Sequence, residues 1–277
     1  MTNCKRLTQN LDESNKILWA LDKYDEYGVL QAYVELNYLN FAQELLDTYS
    51  LKGIYLKRRF DTKLNKTELI AGQPAPKPYY CIENDLKFEI NFEDYLDVGL
   101  FLDHRISREL VSEHCNKKDV LNLFSYTGSF SVYCADKGAK SVTSVDLSSN
   151  YIEWSKRNFV LNNLNTLAPN EFWSMDVYSF LELAIKSETQ YDIIIIDPPS
   201  FSRNKSKTFQ VQRDHKELIR TIQKNLLRTN GFIFFSTNLQ DFVLDPYLRP
   251  GADKLTKQTV PEEFKPGRPH QSFVFYN

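Results

Sequence analysis

Residues 120–130 read "VLNLFSYTGSF". The apolar run at 120–123 stops at a turn of small residues, and "FSVYCADKG" at 130–138 continues with a helical pattern, so the stretch predicts a strand, a tight turn and a helix. The alternation repeats downstream through "SVTSVD", "SNYIEWSKRNFVLNNL", "EFWSMD", "YSFLELAIKS", "YDIIIID", "HKELIRTIQKNLLR" and "GFIFFST". Such a βαβ series predicts an α/β fold whose strands are parallel and buried. The chain closes on "LTKQTV" (255–260) and "QSFVFYN" (271–277), which read as two further strands around the Pro-rich turn "KPGRPH".

Upstream the pattern changes near residue 95. Helices are predicted at about 13–22 and 39–49, among the strand-like pieces "YGVLQAYVEL", "KGIYLKRRF", "YYCIE" and "LKFEIN". The chain therefore divides into a small α+β subdomain over 1–94 and a doubly wound domain over 95–277. The stretch "AGQPAPKPYY" at 71–80 holds three prolines and reads as a loop. Beside it, Lys52, Lys57, Arg58, Arg59, Lys63 and Lys66 fall within fifteen residues, the densest basic cluster in the chain. It is either a solvated face or a grip on phosphates.

Composition narrows the function. Of the 277 residues 42% are apolar, enough for a large core, and the longest aliphatic run, "IIII" at 193–196, is far too short to span a bilayer. Neither end reads as a targeting signal, which predicts a soluble cytoplasmic protein with no membrane partner. Cys4, Cys81, Cys115 and Cys134 are widely separated and form no CxxC pair, which argues against a zinc site and a disulfide framework, and no metal is predicted. A formal charge of −2 leaves any basic surface local.

In an open α/β sheet a ligand lies beyond the carboxyl ends of the strands. The residues there are Phe124, Ser125, Tyr126, Thr127, Gly128 and Ser129 after the first strand, Asp146 after the second, Asp176 after the third and "DPPSF" (197–201) after the fourth. Gly128 lets the backbone pass close to a ligand, and the hydroxyls of Ser125, Thr127 and Ser129 stand where a dinucleotide-binding turn would carry GxGxxG. Neither that fingerprint nor a phosphate-cradling GxxxxGK[ST] is present, so the cofactor has no pyrophosphate to hold. Asp146 can accept from both hydroxyls of a ribose or stabilise the helix after it. Asp176 is a helix cap or an acceptor for an adenine amino group, with Leu147 and Val177 as apolar plates beside the ring. In "DPPSF" the paired prolines stiffen the backbone at the cleft and carry Phe201 beside it. Together these strand ends favour S-adenosylmethionine, a ligand with adenine and ribose but no phosphate.

Several segments carry a family likeness: "YLDVGLFLDHR" (95–105), "LNLFSYTGSFSV" (121–132), "SVDLSSNYIEWSKRN" (144–158), "DIIIIDPPSFS" (192–202), "VQRDHKEL" (211–218) and "FFSTN" (234–238). On these, residues from about 95 to 277 resemble the bacterial 23S ribosomal RNA guanine-N7 methyltransferase module. That module is a class I, Rossmann-like enzyme often fused behind a guanine-N2 methyltransferase. "FSYTGS" and "DPPSF" also occur in rRNA cytosine-C5 methyltransferases, whereas "QRDH" and the closing segment lean to the N7 branch. The first 90 residues match no partner methyltransferase or THUMP-type domain, so a fused N2 activity is not expected in this chain. The resemblance implies that the segment of His104 and Arg105 folds over the cofactor, where the residues alone also allow a surface turn. It further implies a 23S rRNA substrate, naked or in an assembling large subunit.

Cytosine-C5 transfer needs a thiolate at a strand end, but those positions carry Ser200 and Ser236. Guanine N7 has a free lone pair and loses no proton, so orienting the reactants suffices. The acceptor base is then handled by Asp197, Pro198, Pro199, Ser200 and Phe201. Asp197, also a cofactor neighbour, and the carbonyl beside Pro198 accept from the guanine edge, and Phe201 is a stacking platform or a core residue. Lys57, Arg58 and Arg59, with Arg203, Lys205, Lys207 and Arg213 on a mobile flap over 202–215, are the predicted phosphate contacts.

Overall fold

The four isoleucines lie at the centre of the larger sheet of the protein. In the computed structural model, which describes residues 1–61, 67–95, 97–203 and 208–277, two units are distinguished: Met1–Leu102 with Glu262–Gly267, and Asp103–Pro261 with Arg268–Asn277.

The second unit runs α2 (Arg105–Ser112), β8 (Asp119–Leu123), α3 (Ser129–Asp136), β9 (Ser141–Asp146), α4 (Ser149–Leu161), β10 (Glu171–Ser174), α5 (Val177–Lys186) and β11 (Tyr191–Ile196). It continues with β12 (Phe201–Arg203), β13 (Thr208–Gln210), α6 (Val211–Asn225), β14 (Leu227–Thr237), β15 (Ala252–Lys254), α7 (Thr256–Thr259) and β16 (Gln271–Tyr276). The sheet order is β10-β9-β8-β11-β14-β16-β15. The chain steps outward from β8 to β10 and then returns to the other side of β8 with β11, so the order reverses between β8 and β11. At such a reversal the flanking crossovers part and leave a crevice at the carboxyl ends.

Side chains alternate across the strands and build two cores. Leu121, Leu123, Ile194, Ile196, Ile233 and Phe235 pack with α5 and α6, whereas Val120, Val142, Ile193, Ile195 and Phe234 pack with α2 and α3. A strand apolar on both sides is what a sheet covered on both faces requires, and the doubly wound α/β class expected from the sequence is what is observed.

The strands of the βαβ series, β10, β9, β8, β11 and β14, are parallel as expected, and the sheet is mixed because β16 runs antiparallel to β14, and β15 to β16. Two expectations for this unit are corrected. The edge strand β10, whose outer side pairs with no strand among the described residues, is largely exposed. "LTKQTV" forms the single turn α7, closed by Val260 N–H donating to the Thr256 carbonyl at 3.3 Å.

The first unit contains β1 (Cys4–Leu11), β2 (Ile17–Tyr24), β3 (Tyr27–Ala32), α1 (Leu39–Thr48), β4 (Gly53–Arg58), β5 (Glu68–Gly72), β6 (Tyr79–Glu83) and β7 (Leu86–Ile90). Its five-stranded sheet follows sequence order, with β3 and β4 parallel across α1, and β6 and β7 form a separate hairpin. The helix predicted at 13–22 is instead most of strand β2. The Asp12 carboxylate accepts from Ser14 N–H and Lys16 N–H and Asn15 takes φ 62°, so a turn forms where a helix would have begun and β2 folds back on β1. Among the described residues no helix is long and apolar enough to cross a membrane.

Candidate cofactor and acceptor site

The turn after β8 alternates in hand. Phe124, Tyr126 and Gly128 have φ of 57°, 50° and 73°, a region that strongly favours glycine, so two of the three are held there by their surroundings. Ser125 N–H donates to the Val145 carbonyl at 2.9 Å, Tyr126 N–H to Asp146 Oδ2 at 2.9 Å, and Asn158 Nδ2 to the Thr127 carbonyl at 2.9 Å. A Cβ on Gly128 would lie 1.9 Å from Ser155 Oγ, so α4 closes on the turn only because residue 128 has no side chain.

Asp146, the last residue of β9, thus ties one strand end to the next. Its other oxygen accepts from Ser148 N–H at 2.9 Å. Burial pushes the carboxyl above its ordinary range, and the two amides offset part of that. Each oxygen keeps a lone pair free for a ligand hydroxyl. The N-cap of α4 is Ser148, which accepts from Tyr151 N–H. Asp176 caps α5 by accepting from Tyr178 N–H and Ser179 N–H, so of its two expected roles the cap is present. Leu147 is 53% exposed and offers an apolar face, whereas Val177, at 4%, is committed to the core.

Two hydroxyls test what the turn can hold. Ser125 Oγ and Ser155 Oγ are buried with no hydrogen-bond partner. A buried hydroxyl left unpaired costs about 1–3 kcal/mol. At a strand-end turn lacking the glycines of a pyrophosphate cradle, these hydroxyls fit a ligand with polar groups and no phosphate, the donor and acceptor set of S-adenosylmethionine.

Beside this turn stands "DPPSF". Asp197 Oδ1 accepts from Ser236 Oγ at 2.6 Å, and Ser200 Oγ donates to Asn238 Oδ1 at 2.7 Å, so the ends of β11 and β14 are cross-tied twice. Pro198 is buried and Pro199 exposed. Phe201 is 51% exposed, which leaves its ring open and removes the core reading. Asp197 Oδ2 lies 3.6 Å from His104 Nε2. His104 is only 5% exposed, so its segment is no surface turn, and the half-buried Arg105 opens α2 directly after it. The His104 ring stacks on His270, with centroids 4.1 Å apart and planes 13° from parallel, and His270 Nδ1 donates to Asp103 Oδ2 at 3.0 Å.

Of the expected flap at 202–215, residues 204–207 lie outside the described residues and 211–215 belong to α6. Phe201–Arg203 and Thr208–Gln210 pair as an antiparallel hairpin, and Phe209 packs into the core against Phe124. Arg213 is tied to Asp214 at 2.7 Å and to the Thr208 carbonyl. Lys205 and Lys207, and the side chain of Arg203, lie outside the described residues, as do Lys63 and Lys66. In the first unit the phosphate-gripping cluster is largely spent on ion pairs. Lys57 is 4% exposed and faces Asp97, where burial drives its ammonium down to about 8. Arg59 shares Asp97 at 2.6 Å and Arg58 pairs with Glu68 at 2.9 Å. Lys57 is thereby withdrawn from any polyanion. All four cysteines are buried free thiols, and none lies at the carboxyl end of a strand.

Ser236 and Asn238 entered the sequence reading only within "FFSTN", Ser236 also as a position lacking a thiol, and His270 was given no role. His270 meets Asp103 across 167 residues of chain, a pairing that no local pattern encodes.

Residues 35–260 match the S-adenosylmethionine-dependent methyltransferase family. The chain belongs to that family. A methyltransferase solved in complex with SAH superimposes with a TM-score of 0.84 at 30% identity, over 99% of this chain and 75% of that one. Ribosomal RNA large subunit methyltransferase K/L of Pseudoalteromonas atlantica is 41% identical over 95% of this chain and 39% of its own length. Ribosomal RNA large subunit methyltransferase K of Neisseria meningitidis serogroup B is 46% identical over 80% of this chain and 63% of its own. This member of the family therefore spans about two fifths of the K/L relative and less than two thirds of K. S-adenosylmethionine is the family's cofactor, and the β8 turn, with the orphaned hydroxyls of Ser125 in it and of Ser155 on α4 beside it, is the part of this chain that fits it.

Proposed function

We propose that the chain transfers a methyl group to guanine N7 of 23S rRNA in the cytoplasm. The observation that supports this reading is the reversal of strand order between β8 and β11, which brings the 124–129 turn and the cross-tied "DPPSF" segment to the carboxyl ends of adjacent strands. The relatives named as large-subunit rRNA methyltransferases supply the substrate class.

Bound S-adenosylmethionine supplies an electrophilic methyl on a sulfonium. The 124–129 turn and Asp146 hold its polar groups, with Leu147 against the adenine. Asp197 and the backbone beside Pro198 accept from the N1 and N2 hydrogens of a guanine lifted out of its stack, and the open ring of Phe201 supports it. N7 has a free lone pair, so the residues only need to orient it, and alignment of this kind contributes several kcal/mol. Cytosine-C5 transfer requires a thiolate and none stands at the crevice. A second reading, transfer to guanine N2, has one observation in its favour: Asp197 is a carboxylate placed where it can take the proton that an exocyclic amine must release.

Incubation with methyl-tritiated S-adenosylmethionine and transcripts of 23S and 16S rRNA tests the proposal. Label is expected in the 23S transcript or its fragments alone. Equal labelling of both, or of neither, contradicts it.

A further inference from the structure

We propose that His104 is a positioning residue for the acceptor base, acting through Asp197 and not on the cofactor. The inference rests on the reading that Asp197 meets the base.

The geometry starts from Asp197. Ser236 fixes Oδ1 at 2.6 Å, but this single bond leaves the carboxylate free to pivot about it. The second oxygen faces His104 Nε2 at 3.6 Å, and no other side chain forms an ion pair with it among the described residues. His104 can serve as a stop only if it cannot move, and it is clamped on every side. Its Nδ1 stands 3.3 Å from Ser107 Oγ, its ring stacks on His270, and its edge meets Phe130. Burial drives its pKa down, against the pull of Asp197 and Asp103. A neutral ring accepting from Ser107 at Nδ1 carries its proton on Nε2, and that proton points into the gap between Asp197 Oδ2 at 3.6 Å and Asp103 Oδ2 at 3.8 Å.

The clamp is itself built from a directed chain of hydrogen bonds. Ser272 and Thr259 hydroxyls lie 2.6 Å apart, Thr259 Oγ1 is 3.2 Å from His270 Nε2, and His270 Nδ1 is 3.0 Å from Asp103 Oδ2. The Asp103 carboxylate can only accept, so His270 donates to it from Nδ1, and a neutral His270 ring then accepts at Nε2 from the Thr259 hydroxyl. The arrangement makes a poor metal site although ligand atoms of Asp103, His104 and His270 lie within 4.8 Å of one another. The two imidazoles are stacked 13° from parallel, so their in-plane lone pairs run in separate planes and do not converge on one ion. Orientation of an acid is the use this cluster fits.

The test is a double-mutant cycle with cofactor affinity measured beside turnover. His104→Leu is expected to lower kcat roughly thirtyfold with S-adenosylmethionine Kd and RNA KM within about twofold of wild type, and His104→Gln, which keeps an N–H near Nε2, to restore most of it. In an Asp197→Ala background His104→Leu should cost nothing further. A loss in cofactor affinity that matches the loss in turnover, or independent multiplying effects of the two substitutions, overturns the proposal. The cycle is read on whichever nucleoside the wild-type protein methylates, so a product other than 7-methylguanosine sinks the earlier reading and leaves this one standing or falling on its own ratio. If the wild type methylates no RNA, imidazole nitrogen NMR decides: Asp197→Asn must shift the His104 signals, and unchanged signals overturn the inference.

Discussion

Ser236 Oγ donates to Asp197 Oδ1 at 2.6 Å, and the register of two parallel strands makes the bond inevitable. Ile196 is paired with Phe235, so the next residues on β11 and β14 come side by side as the strands leave the sheet. A hydroxyl there satisfies a carboxylate; a thiol there would instead serve covalent chemistry. Ser236→Ala should lower turnover about tenfold by releasing one Asp197 oxygen, a bond to a charged group being worth roughly 1.5–3 kcal/mol. Cofactor affinity should hold. Steady-state kinetics beside calorimetry check this, and a variant that loses cofactor but not turnover refutes the assignment of Asp197 to the base.

Asp146 joins the β8 turn to the end of β9. Removing its carboxylate in Asp146→Ala strips Tyr126 N–H and Ser148 N–H of their acceptor and frees a turn that already holds Phe124 and Tyr126 at positive φ. S-adenosylmethionine binding should weaken at least tenfold, on the order of 2 kcal/mol. Calorimetry on a variant with wild-type circular dichroism decides, and unchanged affinity there removes Asp146 from the cofactor site.

How much could be read without coordinates depended on how local the cause was. The parallel strands, all but β10 buried, the Gly128 turn and the acids at the ends of β9, β10 and β11 are written in hydrophobic runs and their neighbours, and they stand where expected. The helix predicted at 13–22 failed because the choice between helix and hairpin was made by Asp12 and Asn15, a turn that apolar periodicity does not register. Lys57 and Arg59 looked like a surface charge cluster because their partner, Asp97, is 38 to 40 residues away. The link from His270 through Asp103 to His104 was invisible for the same reason at greater distance.

Phe201 should divide binding from chemistry. Its ring is half exposed at the start of the hairpin, so Phe201→Ala removes little core packing. Turnover should fall at least tenfold while RNA affinity and its salt dependence stay near wild type, because an unstacked base is poorly aligned even when the phosphates are held. Filter binding at several salt concentrations alongside single-turnover rates separates the two, and lost RNA binding with full turnover at saturating RNA contradicts the platform role.

Acid stability should report the far end of the same sheet. Burial works against the Asp119 charge, but hydrogen bonds from Arg228, Ser141 and Lys140 outweigh it and bring the carboxyl down to about 2. An acid with its folded pKa below the unfolded value of about 4 stabilises the fold above that value and loses the contribution as pH falls towards 2. Arg228→Ala should therefore cost about 1 kcal/mol at pH 7, a modest figure because the arginine is partly solvated, and the gap to wild type should close between about pH 4 and pH 2. Urea unfolding across that range checks it, and a gap that stays constant places the effect of Arg228 in packing.

The most direct measurement is nucleoside mass spectrometry of 23S rRNA from cells with and without the gene. A single 7-methylguanosine should be present with the gene, absent without it and restored by the wild-type chain but not by Asp197→Ala. N2-methylguanosine in its place would move the transfer to the neighbouring reading, and 5-methylcytidine, or no change in any methylated nucleoside of that RNA, would contradict a guanine-directed rRNA methyltransferase outright.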